Sequence, residues 1–295
     1  MSIWLDFMGA EIRHVDLPTF GTTRIAEAGK GKPEVLILMH GIGGHLEAYA
    51  KNVVPLGKHF HVIAFDYVGH GLSEKKTDIE YQIADYVEQL RELMDVMGID
   101  KAHISGESLG GVVTGHFATT YPERINRAIL NTTGGIPIVS EKGRQDLKEL
   151  GELSAKSSGK QPTFESVLER MKWLLFEGNW DLLTDELVKS RLAIYASKGF
   201  QAVAPLIYSR LRKVNKDGAK PDMIELEKVT CDALLLWTTN NPIHDLAAAE
   251  AALPRLPKGQ LYVIGKPAGH WPQYESPDEF NDVVLGFLRE GRVPQ

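Results

Sequence analysis

Apolar runs and helical stripes alternate along most of this chain. Val35-Leu36-Ile37-Leu38-Met39 is apolar at every position, the pattern of a strand buried on both faces. His59–Asp66, Lys101–Ser105, Ala128–Asn131, Ala233–Trp237 and Gln260–Ile264 predict five more strands. Residues 11–28 alternate, which predicts two antiparallel strands around a turn at Leu17–Gly21. Between Asp78 and Gly98, Ile79, Ile83, Tyr86, Leu90, Leu93, Met94 and Met97 fall on one helical stripe, with Asp78 as N-cap and Gly98 as stop. Another helix follows Ser108 and ends at Tyr121-Pro122; an alanine-rich one starts at Leu246. Strands alternating with helices predict an α/β fold: a mostly parallel eight-stranded sheet with helices on both faces.

That alternation stops between about Gly135 and Asp222. The segment reads as helical, with a polar stretch at Ser154–Gln161, an aromatic-rich Met171–Trp180 and a run from Thr184 to Lys198 opened by a Thr-Asp-Glu cap. The expected organisation is a core domain of residues 1–134 and 223–295, with residues 135–222 inserted as a helical lid over the C-terminal edge of the sheet.

Composition narrows the function classes. With 43% hydrophobic and 24% charged residues the 295-residue chain reads as a soluble globular protein. A formal net charge of −6 argues against a nucleic-acid partner. No stretch reaches the length of a membrane span, and the N-terminus has no basic region followed by an apolar run, so a cytoplasmic location is expected. A single cysteine, Cys231, excludes an internal disulfide and a Cys-rich metal site, and core packing beside a strand is its expected role.

The chemistry centres on Gly106-Glu107-Ser108-Leu109-Gly110, set between a predicted strand and a predicted helix. A serine at such a corner, with glycines two residues away on both sides, is a nucleophile elbow: the tight turn strains the backbone and pushes the hydroxyl outward. A serine hydroxyl needs a base. Of ten histidines, His270 in Ala268-Gly269-His270-Trp271-Pro272 stands just past the last strand, where such a base belongs. His14, His59, His61 and His103 lie in or beside strands and read as structural; His40, His70 and His116 belong to loops or to the elbow helix. The glycine-rich loop His40-Gly41-Ile42-Gly43-Gly44 follows a buried strand, and the backbone N–H groups of Ile42 and Leu109 are the expected oxyanion donors. A dinucleotide loop is excluded because Leu46 stands at the third glycine position, and a phosphate loop because no Gly-Lys-Ser/Thr follows. Asp66–Ser73 reads as a structural glycine turn.

The third triad member, a carboxylate, should follow Leu234–Trp237, but Thr238-Thr239-Asn240-Asn241-Pro242-Ile243-His244 contains none before Asp245. Three readings stay open. Asn241 orients His270 through its amide oxygen; Asp245, about one helical turn on, is a surrogate acid; or the chain no longer relies on the acid. Helix capping is the non-catalytic alternative for both residues.

These motifs resemble the α/β-hydrolase superfamily, and more closely the meta-cleavage product hydrolases, which cut carbon–carbon bonds in ring-fission products of aromatic degradation. Leu38-Met39-His40-Gly41, Gly106–Gly111 and Gly269–Glu275 carry the resemblance, together with the lid segment Leu183–Arg191. It implies a lid arginine, Arg191, on the dienoate end of the substrate, with Gly41, Glu107, Phe176 and Trp271 also lining the site. It implies no cofactor, a small-molecule substrate and a homodimer. Two positions depart from the family: Glu107 stands where Asn is frequent, and Asn241 where the triad aspartate stands. An ester or lactone hydrolase, or an attenuated ligand-binding relic, are the alternatives.

Overall fold

The computed structural model describes residues 2–157, 160–216 and 223–293. Part of the polar stretch Ser154–Gln161 lies outside them. Eight strands form one sheet: β1 (Glu11–Leu17), β2 (Gly21–Ala28), β3 (Val35–Met39), β4 (His61–Phe65), β5 (Ala102–Glu107), β6 (Ile125–Asn131), β7 (Asp232–Trp237) and β8 (Gly259–Val263). Their order is β1-β2-β4-β3-β5-β6-β7-β8. β2 pairs antiparallel with both β1 and β4, and every other neighbour is parallel.

The pleat explains the continuous apolar runs. Leu36 and Leu38 of β3 join Val62, Ala64, Leu234 and Leu236 on one face, under α1 (Ala50–Gly57) and α10 (Pro277–Glu290). Ile37 and Met39 turn to the other face with Ile63, Phe65, Ile104 and Leu235, under α2 (Ile83–Val96) and α3 (Leu109–Thr120). Because the central strands β3 and β7 are buried on both sides, their runs are apolar almost throughout. Cys231 packs against this second cluster as expected.

The α2 boundary corrects the sequence reading. Tyr81 takes φ 57°, which ends any helix begun at Asp78. The helix starts after Gln82, whose N–H donates to Asp85 Oδ2 at 2.7 Å. Gly98 does take a positive φ, 67°, just beyond the helix.

Between β6 and β7 the chain leaves the sheet. Ile224 N–H donates to Gly135 O at 2.8 Å, closing the neck of this segment. It holds α4 (Glu141–Ser157), α5 (Phe164–Leu174), α6 (Asp185–Ala196) and α7 (Lys198–Lys216). The Thr184 hydroxyl caps α6 by accepting from Leu187 N–H at 3.3 Å. Ser197 breaks what sequence alone joins as Thr184–Lys198: its backbone is extended, and its hydroxyl accepts from Phe200 N–H to start α7. After β7 come α8 (Leu246–Ala252) and, beyond β8, the short α9 (Pro272–Glu275).

Candidate active site

Ser108 sits between β5 and α3 with φ 54° and ψ −112°, a conformation that costs a non-glycine residue about 1–3 kcal/mol. The surroundings enforce it. Ser108 N–H donates to Asn131 O of β6 at 3.0 Å, while Ser108 O accepts from Val112 N–H and Gly134 N–H. A Cβ on Gly106 would run into the Gly110 carbonyl, and one on Gly110 into Met39 O. Both glycines are therefore required by close backbone approach, the physical content of the elbow pattern.

His270 lies past β8 on a loop held from three sides. Its N–H donates to Leu174 O at 2.7 Å, its carbonyl accepts from the Thr132 hydroxyl at 2.9 Å, and Thr238 holds Gly269 O. Gly269 is needed because a Cβ there would meet Leu174 O and Phe176 N, at 2.5 and 2.6 Å. Glu275 gathers this corner. Its carboxylate accepts from the N–H groups of Phe176, Gly269 and Trp271 and from the Asn179 amide. Sequence reasoning quoted Glu275 within a motif without giving it this task.

Asn241 is the partner of His270 Nδ1, at 2.7 Å. Its orientation is dictated by His244. The Asn241 amide nitrogen donates to His244 O, which also accepts from Trp237 Nε1 at 2.9 Å. Turning the amide over would set oxygen against carbonyl oxygen, so Oδ1 faces the ring and Nδ1 must carry the proton. The tautomer a triad base needs is thereby held without a charge behind it. Asp245 touches neither ring nitrogen; it precedes α8 and its carbonyl accepts from Ala248 N–H.

The other ring nitrogen faces an unexpected neighbour. His270 Nε2 is 3.1 Å from Glu107 Oε1, and Glu107 Oε2 accepts Gly41 N–H at 2.7 Å. Gly41 thus spends its N–H on Glu107 instead of opening it to a ligand. Ile42 follows in the same loop, and Leu109 opens α3, whose N-terminal end favours negative charge.

Arg191 of α6 is buried, at 2% exposure, not a solvated helix charge. Its guanidinium stacks 4.7 Å from the Trp271 ring, its Nε–H donates to His45 Nε2 at 3.3 Å, and its Nη2 is buried with no partner. Nearby Arg170 of α5 also has a buried Nη1 without a partner, and burial lowers its pKa. Tyr195 donates to Gly43 O at 2.7 Å, and a Cβ on Gly43 would strike the Tyr195 and Tyr208 hydroxyls. Phe176 comes to the site by its backbone, against Gly269, while its ring lies over Gly178. A separate cavity of about 590 Å³ between α4 and α5, lined by Glu149, Glu165, Trp173 and Trp180 among others, shares none of these groups.

Beneath the glycine-rich loop runs a buried ionic chain that sequence reasoning missed. His45 Nδ1 donates to Glu47 Oε2 at 2.6 Å; Arg24 of β2 binds Glu47 with both terminal nitrogens and Asp66 with Nε. Burial would raise the Glu47 carboxyl, but His45 and Arg24 outweigh it and hold it well below the usual carboxylate range. Asp66 also receives the N–H groups of Leu46 and Leu72, so the turn after β4 is structural, as the sequence suggested.

Two further buried histidines are held neutral. His40 donates from Nδ1 to Gly41 O and accepts Tyr67 N–H at Nε2; burial pushes it down to about 4. Burial pushes His70 down to about 3. Both folded values lie below the unfolded one near 6.5, so this stability is complete above about pH 6.5 and is lost as pH falls toward 4. Each histidine adds a slope approaching ~1.4 kcal/mol per pH unit in that window. The urea midpoint is expected to be flat above pH 7 and to fall steadily from pH 6 to 4.5; a flat midpoint over that lower range is the contrary result.

A family model described as the alpha/beta hydrolase fold matches residues 34–277. The chain belongs to this family. Among similar proteins of this α/β-hydrolase is the 2-hydroxy-6-oxononadienedioate/2-hydroxy-6-oxononatrienedioate hydrolase of Comamonas testosteroni, 30% identical over 271 residues and 90% of each chain. The 2-hydroxy-6-oxo-6-phenylhexa-2,4-dienoate hydrolase of Burkholderia cepacia is 28% identical, again over 90% of each chain. The fold is shared with a solved meta-cleavage product hydrolase of Pseudomonas fluorescens IP01, at TM-score 0.78 and 24% identity, over 97% of this chain and 100% of that one. Among the described residues, no helix is long and apolar enough to cross a membrane.

Proposed function

We propose that this α/β-hydrolase cleaves a carbon–carbon bond in a 2-hydroxy-6-oxo-dienoate ring-fission product, using Ser108 and His270. The observation that carries the substrate class is the buried guanidinium of Arg191, with Nη2 unpartnered, close over Trp271. A buried cation with a free donor calls for an anion, and a planar guanidinium suits a carboxylate flanked by an enol oxygen. Arg170, with its own unpartnered nitrogen, adds positive potential on the same side. The substrates for which these relatives are named, dienoates and dienedioates, are anions of this kind.

In the reaction the dienol is first ketonised, which makes the carbon–carbon bond next to the 6-oxo group cleavable. The Ser108–His270 pair then drives attack on that carbonyl, by the serine itself or by water. The oxyanion falls to the N–H groups of Ile42 and Leu109. Cleavage releases a carboxylic acid and a dienoate, with one water consumed and no cofactor. The helices α4–α7 act as the lid that brings Arg191 over the pocket.

Arg191→Met tests the reading. It is expected to lower kcat/KM for a 2-hydroxy-6-oxo-dienoate by about 10²–10³, the loss of a charge-assisted bidentate contact, with less than about threefold change on a neutral aryl ester. Equal losses on both substrates would mark a stability effect instead, and ester turnover exceeding dienoate turnover in the native chain would make the enzyme an esterase.

A further inference from the structure

An aspartate at position 241 would meet His270 Nδ1 with either oxygen, whereas the Asn241 amide has one acceptor end and one donor end. Reversed, it would point Nδ2–H at the ring, force the proton to Nε2 and leave no lone pair there for the Ser108 proton. The orientation rests on His244 O, which accepts from Asn241 Nδ2 and from Trp237 Nε1. That carbonyl is brought back over Asn241 because the chain reverses at Ile243. Ile243 takes φ 67°, and His244 N–H donates to Pro242 O across it at 2.8 Å. This is a γ-turn with a β-branched residue in the left-handed region, a combination that steric crowding disfavours. Something must hold it.

The hold comes from the inserted helix α4. Asp146 Oδ2 accepts Ile243 N–H at 2.9 Å from 97 residues away in sequence, and 14% of the Asp146 side chain is exposed. Gly143, on the preceding turn, leaves room for the other end of the same residue, since a Cβ there would stand 2.2 Å from Ile243 O. Helix α4 therefore packs on both the N–H and the C=O of the strained residue. Its first turn is itself fixed, by the Ser140 hydroxyl accepting Gly143 N–H at 2.9 Å. Lys142 pairs with Asp146 from the exposed side.

We propose that Asp146 is a positioning residue for the catalytic base: by holding the γ-turn at Ile243 it fixes which end of Asn241 meets His270, and so keeps a proton on Nδ1. The assignment rests on the Ser108–His270 reading for its effect on turnover alone. No bond to Asp146 is made or broken in the reaction; it acts through Ile243, His244 and Asn241 in that order. An amide at 241 thus makes the base depend on the docking of α4, a dependence that a carboxylate there would not have.

The test is a cycle of native chain, Asp146→Ala, Asn241→Asp and the double variant, with dienoate turnover and imidazole 15N spectra as readouts. A wholly reversed tautomer costs a serine triad about 10⁴ in kcat. Asp146→Ala frees the amide to turn in part of the population, so it is expected to lower kcat about 10–100-fold while KM stays within about threefold. The signal of the His270 Nδ1 proton should weaken in the same variant with no substrate present. Asp146→Asn keeps an acceptor for Ile243 N–H, and Lys142→Ala leaves that bond alone, so both should stay within about threefold of native kcat. In the Asn241→Asp background, Asp146→Ala should cost less than about threefold. Should Asp146→Ala fail to fold, Gly143→Ala gives the same readout, because alanine favours the helix while its Cβ displaces the turn. A native Nδ1 signal in Asp146→Ala, an equal loss in both backgrounds at 241, or an Asp146→Asn variant as impaired as Asp146→Ala overturns the proposal. Spectra that behave as stated beside a Ser108→Ala variant that retains turnover would sink the serine reading and leave the positioning of Asn241 standing.

Discussion

Ser108→Ala is expected to lower turnover of a dienoate by about 10³–10⁵ without moving the melting temperature, whereas Ser108→Gly should abolish turnover equally and raise it. In serine enzymes with a full triad, removing the nucleophile costs about 10⁶, and a residual 10³–10⁴ over water survives from binding and the oxyanion donors. The smaller range applies here because Asn241 supplies no charge, so the native rate starts closer to that residue of catalysis. The melting temperatures separate chemistry from strain. Alanine at 108 still suffers φ 54°, while glycine occupies that region freely and should gain on the order of 1 kcal/mol. Chromophore loss of the dienoate gives the rates and calorimetry gives the midpoints. Retention of more than a tenth of native turnover in Ser108→Ala would remove this residue from the reaction and leave His270, acting on water, to carry it.

The parts of this site that were legible in the sequence are those fixed by neighbours a few residues away. Ser108 stood out because Gly106 and Gly110 are required by the turn itself, and His270 because the loop after β8 is a topological position. The central strands, such as β3 and β7, were legible because burial on both faces leaves unbroken apolar runs, and β1 and β2 because their residues alternate. Asn241 was placed by its distance from Trp237, but which of its atoms meets His270 depends on the His244 carbonyl, and nothing in the local pattern announces that. Asp78 looked like a cap because capping is a local rule, and it failed because Tyr81 adopts a positive φ. The least legible features join distant segments. Arg191 and His45 are 146 residues apart, and a helix arginine reads the same in sequence whether solvated or buried. Glu107 could be seen beside the nucleophile, yet its approach to His270 exists only after the sheet brings β5 and the loop past β8 together.

Arg24→Met is expected to cost about 3–5 kcal/mol, the loss typical of one partner removed from a buried ion pair, and to shift the melting temperature by roughly 6–15 °C. Arg24 is nearly inaccessible and serves two carboxylates at once: Glu47 at 2.8 Å and Asp66 at 2.6 Å. Burial would raise both carboxyls, and Arg24 is among the groups holding them down. Without it two like charges remain desolvated beside the glycine-rich loop, so each must take a proton or draw in water. The consequence should reach the substrate. Glu47 orients His45, His45 accepts from Arg191 Nε–H, and Arg191 stacks on Trp271 beside His270, so the chain runs from β2 to α6 through hydrogen bonds and ion pairs. The variant's residual folded fraction, assayed well below its midpoint, should therefore show a raised KM for a dienoate with kcat less affected. Glu47→Gln provides the control: it leaves Arg24 paired with Asp66, so it should destabilise less while weakening the hold on His45. A variant pair in which Glu47→Gln proved the more destabilising would place the stabilising contact at His45, not at Arg24.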